Sequence, residues 1–338
     1  MTDAIELRGR DGLRLSLSPF GASWTSCRVP LGDGSLREVL LGADDLHDPR
    51  VRQAYLGATV GRYANRIGHG RLVRDGRAWA LRCQSGSAHQ LHGGPDGFDR
   101  RTWAVEACSD EAVNFALESP DGDQGFPGRL RVRVSYRLSA PGTIEMDAEA
   151  ETDAATPVCL TQHAYFNLDA EHVDVRGHTL ALDAAQWLPV DADLIPLGPL
   201  ADVAGTGFDF RAPTRIAQAW LRDAAQQRAG GFDHAWLLDP ACAGLDRPAL
   251  RLVSSDGRLA MSLATTLPAL QFYGGQMLAG TPRRGGGTYG ACAGLALEPQ
   301  FLPDSPNHPE WPQPDCWLQP GQVYRHRIRW HFDASPAV

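Results

Sequence analysis

The chain has 338 residues, of which 21% are charged and 43% hydrophobic, and its formal net charge is −8. These values are typical of a globular protein with a large core, and the absence of a basic run excludes an ordinary nucleic-acid-binding surface. The sequence contains no lysine, which excludes Schiff-base chemistry and the phosphate-binding lysine of a P-loop.

The cysteines and the N-terminal segment indicate a cellular compartment. The seven cysteines are scattered and form no C-x-x-C motif, so they fit a reducing environment better than a disulfide framework or a zinc site. Residues 1–12 contain no apolar signal segment, and no apolar run is long enough to span a bilayer. We therefore expect a cytoplasmic protein with no membrane span and no nucleic-acid partner.

Apolar residues alternate with polar ones in several segments, and this period of two predicts strands. In chain order the predicted strands are residues 13–17, 130–138, 144–150, 259–263 and 324–332. The second and third flank Pro141-Gly142 and form a predicted hairpin, whose exposed face sets a row of arginines against a row of acidic residues. One helix is predicted, from Pro213 to about Gln227, because Ile216, Trp220 and Ala224 recur at four-residue spacing.

The 36 glycines and 24 prolines indicate many turns between these strands. Many strands with few helices predict an all-β fold, a large antiparallel β-sandwich with few short helices. No linker, charge run or repeat divides the sequence, so we expect one domain over residues 1–338.

Five segments carry polar groups that a packed strand does not need: residues 57–67, 89–103, 161–168, 231–234 and 297–307. Asn, Gln, Asp and Arg hold sugar hydroxyls in fixed geometry, while nearby aromatic rings provide walls for a pyranose. A histidine and a glutamate transfer protons at neutral pH without a metal. Taken singly, His163 is more typical of a hydrogen-bonded core histidine than of a catalytic group. Glu298 taken singly is typical of the end of a buried strand.

Together these segments resemble the aldose 1-epimerases, also called galactose mutarotases, in that family's order over nearly the whole chain. The matching motifs are Asn65-Arg66-Ile67, Leu91-His92-Gly93-Gly94, His163-x-Tyr165-Phe166-Asn167-Leu168, Leu188-Pro189-Val190-Asp191 with Ile195-Pro196, Gly205-Thr206-Gly207-Phe208-Asp209-Phe210, Gly231-Phe232-Asp233-His234, Gln271-Phe272-Tyr273 and Glu298-x-Gln300 with Pro303-Asp304 and Asn307. Two of the motifs depart from the usual family pattern: Pro299 follows Glu298, and Gly274-Gly275 follows Tyr273.

The resemblance implies a galactose mutarotase-like supersandwich that interconverts the α and β anomers of a free aldohexose such as galactose or glucose. It implies that His163 protonates the ring oxygen and that Glu298 takes the proton of the anomeric hydroxyl. The residues implied to bind the sugar hydroxyls are Asn65, Arg66, His92, Asp233 and Gln271. No cofactor and no metal are implied, the partner is a monosaccharide, and the protein is expected to be a monomer or homodimer.

Other interpretations stay open at this point. A glycoside hydrolase would use two carboxylates such as Asp233 and Glu298. A non-catalytic sugar-binding protein and an epimerase of a phosphorylated or modified sugar would carry similar residues. The G-x-G-x-x-G match at residues 285–290 leads into a strand-like segment instead of a helix, which is atypical of a dinucleotide site. His89 and His92 have no further metal ligand at a convincing spacing.

Overall fold

The structure is a computed structural model that describes residues 4–334. Within this part of the chain short strands predominate, and the helices have at most six residues. The strands are β1 (Ile5–Arg8), β2 (Arg14–Ser18), β3 (Ser23–Pro30), β4 (Leu36–Glu38), β5 (Thr59–Val60), β6 (Arg66–Ile67), β7 (Arg71–Arg74), β8 (Arg77–Ala80), β9 (Gln90–Leu91), β10 (Ala104–Cys108), β11 (Ala112–Ser119), β12 (Leu130–Ala140), β13 (Thr143–Thr152), β14 (Thr156–Pro157), β15 (Thr161–Gln162), β16 (Tyr165–Phe166), β17 (Thr179–Leu182), β18 (Gln186–Leu188), β19 (Ala201–Asp202), β20 (Thr214–Arg215), β21 (Asp233–Leu237), β22 (Leu250–Val253), β23 (Ala260–Thr265), β24 (Ala269–Tyr273), β25 (Leu295–Gln300), β26 (Trp317–Leu318) and β27 (Tyr324–Asp333). The α-helices are α1 (Pro49–Gln53), α2 (Ile216–Ala219) and α3 (Ala224–Ala229).

Two large antiparallel sheets dominate the architecture. The nine-stranded sheet has the order β10-β11-β12-β13-β27-β23-β22-β17-β20, and the six-stranded sheet has the order β16-β25-β24-β21-β18-β19. A four-stranded sheet with the order β1-β2-β3-β4 packs beside them. The predicted all-β antiparallel sandwich with few short helices is confirmed.

The two large sheets share one hydrophobic core. Trp24 of β3 is fully buried, and its ring lies 5.9 Å from that of Phe166 in the six-stranded sheet and 5.1 Å from that of Trp330 in the nine-stranded sheet. The same buried cluster continues from Leu7 to Phe332. Burial of this much apolar surface provides the main driving force for folding.

The predicted hairpin is confirmed as β12 and β13, with Arg133 opposite Glu149. The acidic row of β13 also faces a second arginine row on its other neighbour, β27, where Arg325 pairs with Glu149 at 2.9 Å. Such exposed pairs stabilise the protein by about 0–1 kcal/mol each. The strands predicted at residues 13–17, 259–263 and 324–332 are confirmed as β2, β23 and β27.

The prediction of a single helix from Pro213 to about Gln227 is wrong. Residues 214–215 are extended, and the two short helices α2 and α3 are separated at Trp220 and Leu221, where Trp220 is extended and Leu221 has a φ of +55°. The Trp220 ring packs against Phe232 at 5.6 Å, over glycines where a Cβ would come within 2.6 Å of the indole. This tertiary contact overrides the helical spacing. Among residues 4–334 no helix is long and apolar enough to cross a membrane.

Candidate functional site

One face of the six-stranded sheet gathers three of the predicted site residues. In the antiparallel register Gln271 of β24 lies directly opposite Glu298 of β25, and Asp233 of β21 lies opposite Tyr273. Residues two apart on a strand share a face, so the pleat directs Asp233, Gln271 and Glu298 to the same side. The Nε2 of Gln271 donates a hydrogen bond of 2.6 Å to Oδ1 of Asp233.

His163 reaches this face from the segment between β15 and β16. Its backbone N–H donates to the carbonyl of Ala58, and its carbonyl accepts from Gly57 N–H. Strand β16 then pairs with β25, which brings the imidazole beside the Glu298 carboxyl group. The Nε2 of His163 lies 3.6 Å from Oε1 of Glu298, and the two side chains are only 6% and 2% exposed.

Asn65, Arg66 and His92 approach the site from the pairing of β6 with β9, in which Arg66 lies opposite Leu91. Both Asn65 and His92 have a positive φ, of +65° and +48°. The Asn65 N–H donates to Nδ1 of His92 at 3.1 Å, and the His92 N–H donates to the carbonyl of Asn65 at 3.0 Å. A Cβ on Gly93 would collide with the Gly61 carbonyl oxygen, which explains the glycine that follows His92.

The residues of the six-stranded sheet and those of the β6–β9 pairing meet at Asp233. Its Oδ2 lies 3.6 Å from Nη2 of Arg66, and the two side chains are 17% and 19% exposed. The His92 ring is 5.2 Å from that of His163. The structure thus brings all seven predicted site residues together in one cluster.

Burial determines the direction of the pKa shifts. Desolvation lowers the pKa of His163 to about 4. It raises the pKa of Glu298 well above its ordinary value; the charge of Asp233 adds to this rise, and Arg66 opposes it. The pKa of His92 is lowered well below its ordinary value by desolvation, with further contributions from His163 and Arg66. Each shift favours the neutral form of the buried group.

Several buried polar atoms at the site have no hydrogen-bond partner in the described part of the chain. They are His163 Nδ1, Gln271 Oε1, Glu298 Oε2 and Gln300 Nε2. An unpartnered buried polar group costs about 1–3 kcal/mol, so a cluster of them indicates a site that binds a polar ligand.

Comparisons with known proteins show the family to which the chain belongs. The family model described as Aldose 1-epimerase matches residues 3–331. The chain is 48% identical to the aldose 1-epimerase of Escherichia coli over 331 residues, covering 98% of this chain and 95% of that protein. It is 36% identical to the galactose mutarotase of Homo sapiens, covering 96% of this chain and 92% of that protein. The chain belongs to the aldose 1-epimerase family.

Solved structures show the same family fold. A GalM/aldose epimerase homologue from C. elegans superposes with a TM-score of 0.89 at 30% identity, covering 99% of this chain and 100% of that one. The galactose 1-epimerase from Lactobacillus acidophilus gives a TM-score of 0.83 at 27% identity, covering 98% and 94%. The galactose mutarotase-like supersandwich implied by the sequence is therefore confirmed.

The site of this aldose 1-epimerase family member also contains residues for which no role was predicted. Gln300 follows Glu298 by two positions on β25, and its Oε1 accepts a hydrogen bond of 3.4 Å from Nδ2 of Asn65. Gln300 could have been predicted as a site residue, because residues two apart on a strand share a face. The ring of Tyr55 stacks on His163 at 5.7 Å and also contacts His92 at 4.6 Å, yet Tyr55 lies outside every family motif.

His92, His163 and Glu298 also meet a distance criterion for metal binding, because one ligand atom from each lies within 4.8 Å of the others. The Asn65 N–H donates to Nδ1 of His92, however, so a neutral His92 carries its proton on Nε2. A metal ligand must offer a lone pair, whereas this nitrogen offers a proton. The arrangement therefore fits a hydrogen-bond donor to a sugar oxygen better than a metal centre.

Proposed function

We propose that this aldose 1-epimerase interconverts the α and β anomers of a free aldohexose such as galactose or glucose, with His163 as proton donor and Glu298 as proton acceptor. The observation that carries the proposal is the buried His163–Glu298 pair at 3.6 Å, in a site where several polar atoms have no hydrogen-bond partner among residues 4–334. The hydroxyl oxygen and the ring oxygen that exchange protons are both bonded to C1. An acid and a base that serve them must therefore lie close together.

The reaction begins when Glu298 takes the proton of the C1 hydroxyl while His163 gives a proton to the ring oxygen. The C1–O5 bond breaks, C1 becomes an aldehyde, and O5 becomes a hydroxyl. Rotation about C1–C2 then presents the other face of the aldehyde. On ring closure Glu298 returns its proton to the carbonyl oxygen and His163 takes the proton of the O5 hydroxyl, so the enzyme recovers its initial protonation.

Burial affects the two protonation states of this cycle in opposite directions. Ring opening leaves His163 neutral and Glu298 protonated. This is the neutral pair that desolvation favours, since it lowers the pKa of His163 and raises that of Glu298. The buried environment therefore stabilises the enzyme form that accompanies the open-chain sugar, and it opposes the charged pair that begins the reaction.

The remaining polar residues would bind and orient the sugar. Asp233 is held by Gln271 and faces Arg66, so a carboxylate and a guanidinium present acceptors and donors side by side for hydroxyl groups. Asn65 and the Nε2 proton of His92 add further hydrogen bonds. Such positioning contributes to catalysis by holding C1 and O5 against the acid–base pair.

Polarimetry on freshly dissolved α-D-galactose and α-D-glucose tests the proposal. We expect the purified protein to speed the approach to rotational equilibrium well above the rate in buffer, and an unchanged rate would refute the proposed activity. Release of nitrophenol from aryl glycosides would instead favour a glycoside hydrolase. Calorimetric binding of galactose without faster mutarotation would favour a non-catalytic binding protein, and activity restricted to phosphorylated sugars would revise the substrate.

We also propose a single domain, a cytoplasmic location and a monomer or homodimer. The continuous hydrophobic cluster from Leu7 to Phe332 supports one domain. Within residues 4–334 all seven cysteines are unpaired, which fits a reducing compartment. Size-exclusion chromatography with light scattering would establish the oligomeric state.

A further inference from the structure

The loop that follows β25 is hydrogen-bonded to the segment that carries Arg66. Asp304 lies in this loop with a left-handed backbone, at a φ of +60°. Its N–H donates to the Arg66 carbonyl at 2.8 Å, and its Oδ1 accepts from the Gly68 N–H at 3.0 Å. One residue thus holds the backbone on both sides of Ile67.

Asn307 supports this arrangement from the same loop. Its Nδ2 donates to Oδ1 of Asp304 at 2.7 Å and to the carbonyl of Arg71 at 2.9 Å. Its Oδ1 accepts from the Val73 N–H at 3.0 Å. On the other side of the carboxylate, His308 Nε2 lies 3.4 Å from Asp304 Oδ2. Asp304 is only 6% exposed, so solvent does little to replace these contacts.

The close approach of the two segments also depends on Gly68. A Cβ at this position would lie 3.0 Å from Oδ2 of Asp304 and 3.5 Å from a methyl group of Ile195. The glycine therefore allows the carboxylate to sit directly against the backbone that follows Arg66.

Arg66 has little other support from the sheets. Strand β6 has only two residues and pairs with the equally short β9. Glu298, in contrast, lies in a six-residue strand at the centre of the site, and Asp304 follows on the same stretch of chain. The Asp304 contacts are thus a direct link between the strand of Glu298 and the segment that presents Arg66 and Asn65.

We propose that Asp304 is a positioning residue, which holds Arg66 at the distance from Glu298 that sugar binding requires, and that Asn307 orients Asp304. The inference rests on the proposed function, because it takes Arg66 as a ligand of the sugar. Misplacement of a binding group by about 1 Å lowers reaction rates by about 10²-fold. Asp304 itself touches no residue of the acid–base pair in the structure, so its effect passes through Arg66.

The test combines Asp304 and Arg66 variants in a double-mutant cycle. We expect Asp304→Ala to lower kcat/KM by about 10–100-fold, mainly through KM, and to weaken galactose binding in calorimetry by a similar factor. In the Arg66→Ala background the same substitution should change neither quantity by more than about twofold. Asp304→Asn should recover most of the activity, because its side-chain oxygen still accepts from Gly68 N–H.

Matched variants separate positioning from stability. Asp256→Ala removes a carboxylate that accepts hydrogen bonds from Arg37 and Ser254 away from the site, and it should lower the melting temperature without changing KM. If Asp304→Ala does not fold, Asn307→Ala replaces it in the cycle, with a smaller loss expected. An equal loss in the wild-type and Arg66→Ala backgrounds, or no loss in either, would overturn the proposal.

The two hypotheses fail in different ways. A wild-type protein without mutarotase activity would refute the proposed function, and the calorimetric cycle would still test whether Asp304 acts through Arg66 in sugar binding. An active wild-type enzyme whose kcat/KM does not respond to Asp304 substitutions would refute the positioning role alone.

Discussion

Replacing Glu298 by glutamine should stabilise the protein progressively as the pH rises. Glu298 is 2% exposed, and its Oε2 has no hydrogen-bond partner among the described residues. Desolvation raises its pKa above the ordinary value of 4.5. The folded protein therefore keeps this proton at pH values where the unfolded chain has lost it. For an acid shifted in this direction, the free energy of unfolding falls as the pH rises through 4.5 and stops falling above the folded-state pKa.

The size of the effect follows from proton linkage. Between the two pKa values the wild type loses about 1.4 kcal/mol of stability per pH unit from this group, whereas glutamine does not ionise. The added amide hydrogens contribute an offset that does not change with pH. The difference in unfolding free energy between Glu298→Gln and wild type should thus rise by about 1.4 kcal/mol per unit, and its plateau marks the folded-state pKa of Glu298.

Urea denaturation at pH 5, 6, 7 and 8, followed by tryptophan fluorescence and far-UV circular dichroism, measures this difference. Glu118→Gln serves as the matched control, since Glu118 is exposed and pairs with Arg131 at 3.3 Å on the surface. Its effect should stay within about 1 kcal/mol at every pH. A difference for Glu298→Gln that is constant from pH 5 to 8 would refute a raised pKa at this position.

Two further predictions concern the acid limb of catalysis and a buried arginine. Because the pKa of His163 is lowered to about 4, the acid limb of kcat/KM should lie near pH 4, below which protonation of both His163 and Glu298 leaves no proton acceptor. An acid limb near 6.5 in stopped-flow polarimetry would contradict this. Arg62 is 2% exposed and donates hydrogen bonds to Gly128 O, Thr156 Oγ1 and Ser119 Oγ. Arg62→Met should therefore lose about 3 kcal/mol or more of unfolding free energy with KM unchanged, and a near-neutral change in chemical denaturation would show that this network contributes little.

Strands were predicted correctly where apolar and polar residues alternate within a single segment. Residues 130–138 and 144–150 alternate because one face of β12 and β13 is buried, and that information is local. The other neighbour of β13 is β27, which is distant in the sequence. Arg329 of β27 lies 2.7 Å from Glu145, although the two residues are far apart in the sequence, and alternation alone does not specify which strands become neighbours.

The helix prediction failed for a similar reason. The spacing of Ile216, Trp220 and Ala224 fits one helical stripe, but Trp220 packs against Phe232 from another part of the chain. This contact requires an extended backbone at the tryptophan and ends α2 there. Helical periodicity describes local preference, and tertiary packing overrides it in a segment this short.

The site residues were found through the family motifs, and their contacts required the fold. The motifs named Arg66 and Asp233, while only the antiparallel register and the short β6–β9 pairing bring their charges to 3.6 Å. Tyr55 was missed because it lies outside the motifs, beside α1, and becomes a neighbour of His163 only through the tertiary fold.

The central claim is tested most directly by NMR exchange spectroscopy on galactose labelled with ¹³C at C1. Wild-type protein at substoichiometric concentration should produce exchange peaks between the α and β anomers. Folded His163→Asn and Glu298→Gln variants should each lose about 10²-fold or more of the exchange rate. Undiminished exchange in either variant would remove that residue from the mechanism, and the absence of exchange with the wild type would contradict the account as a whole.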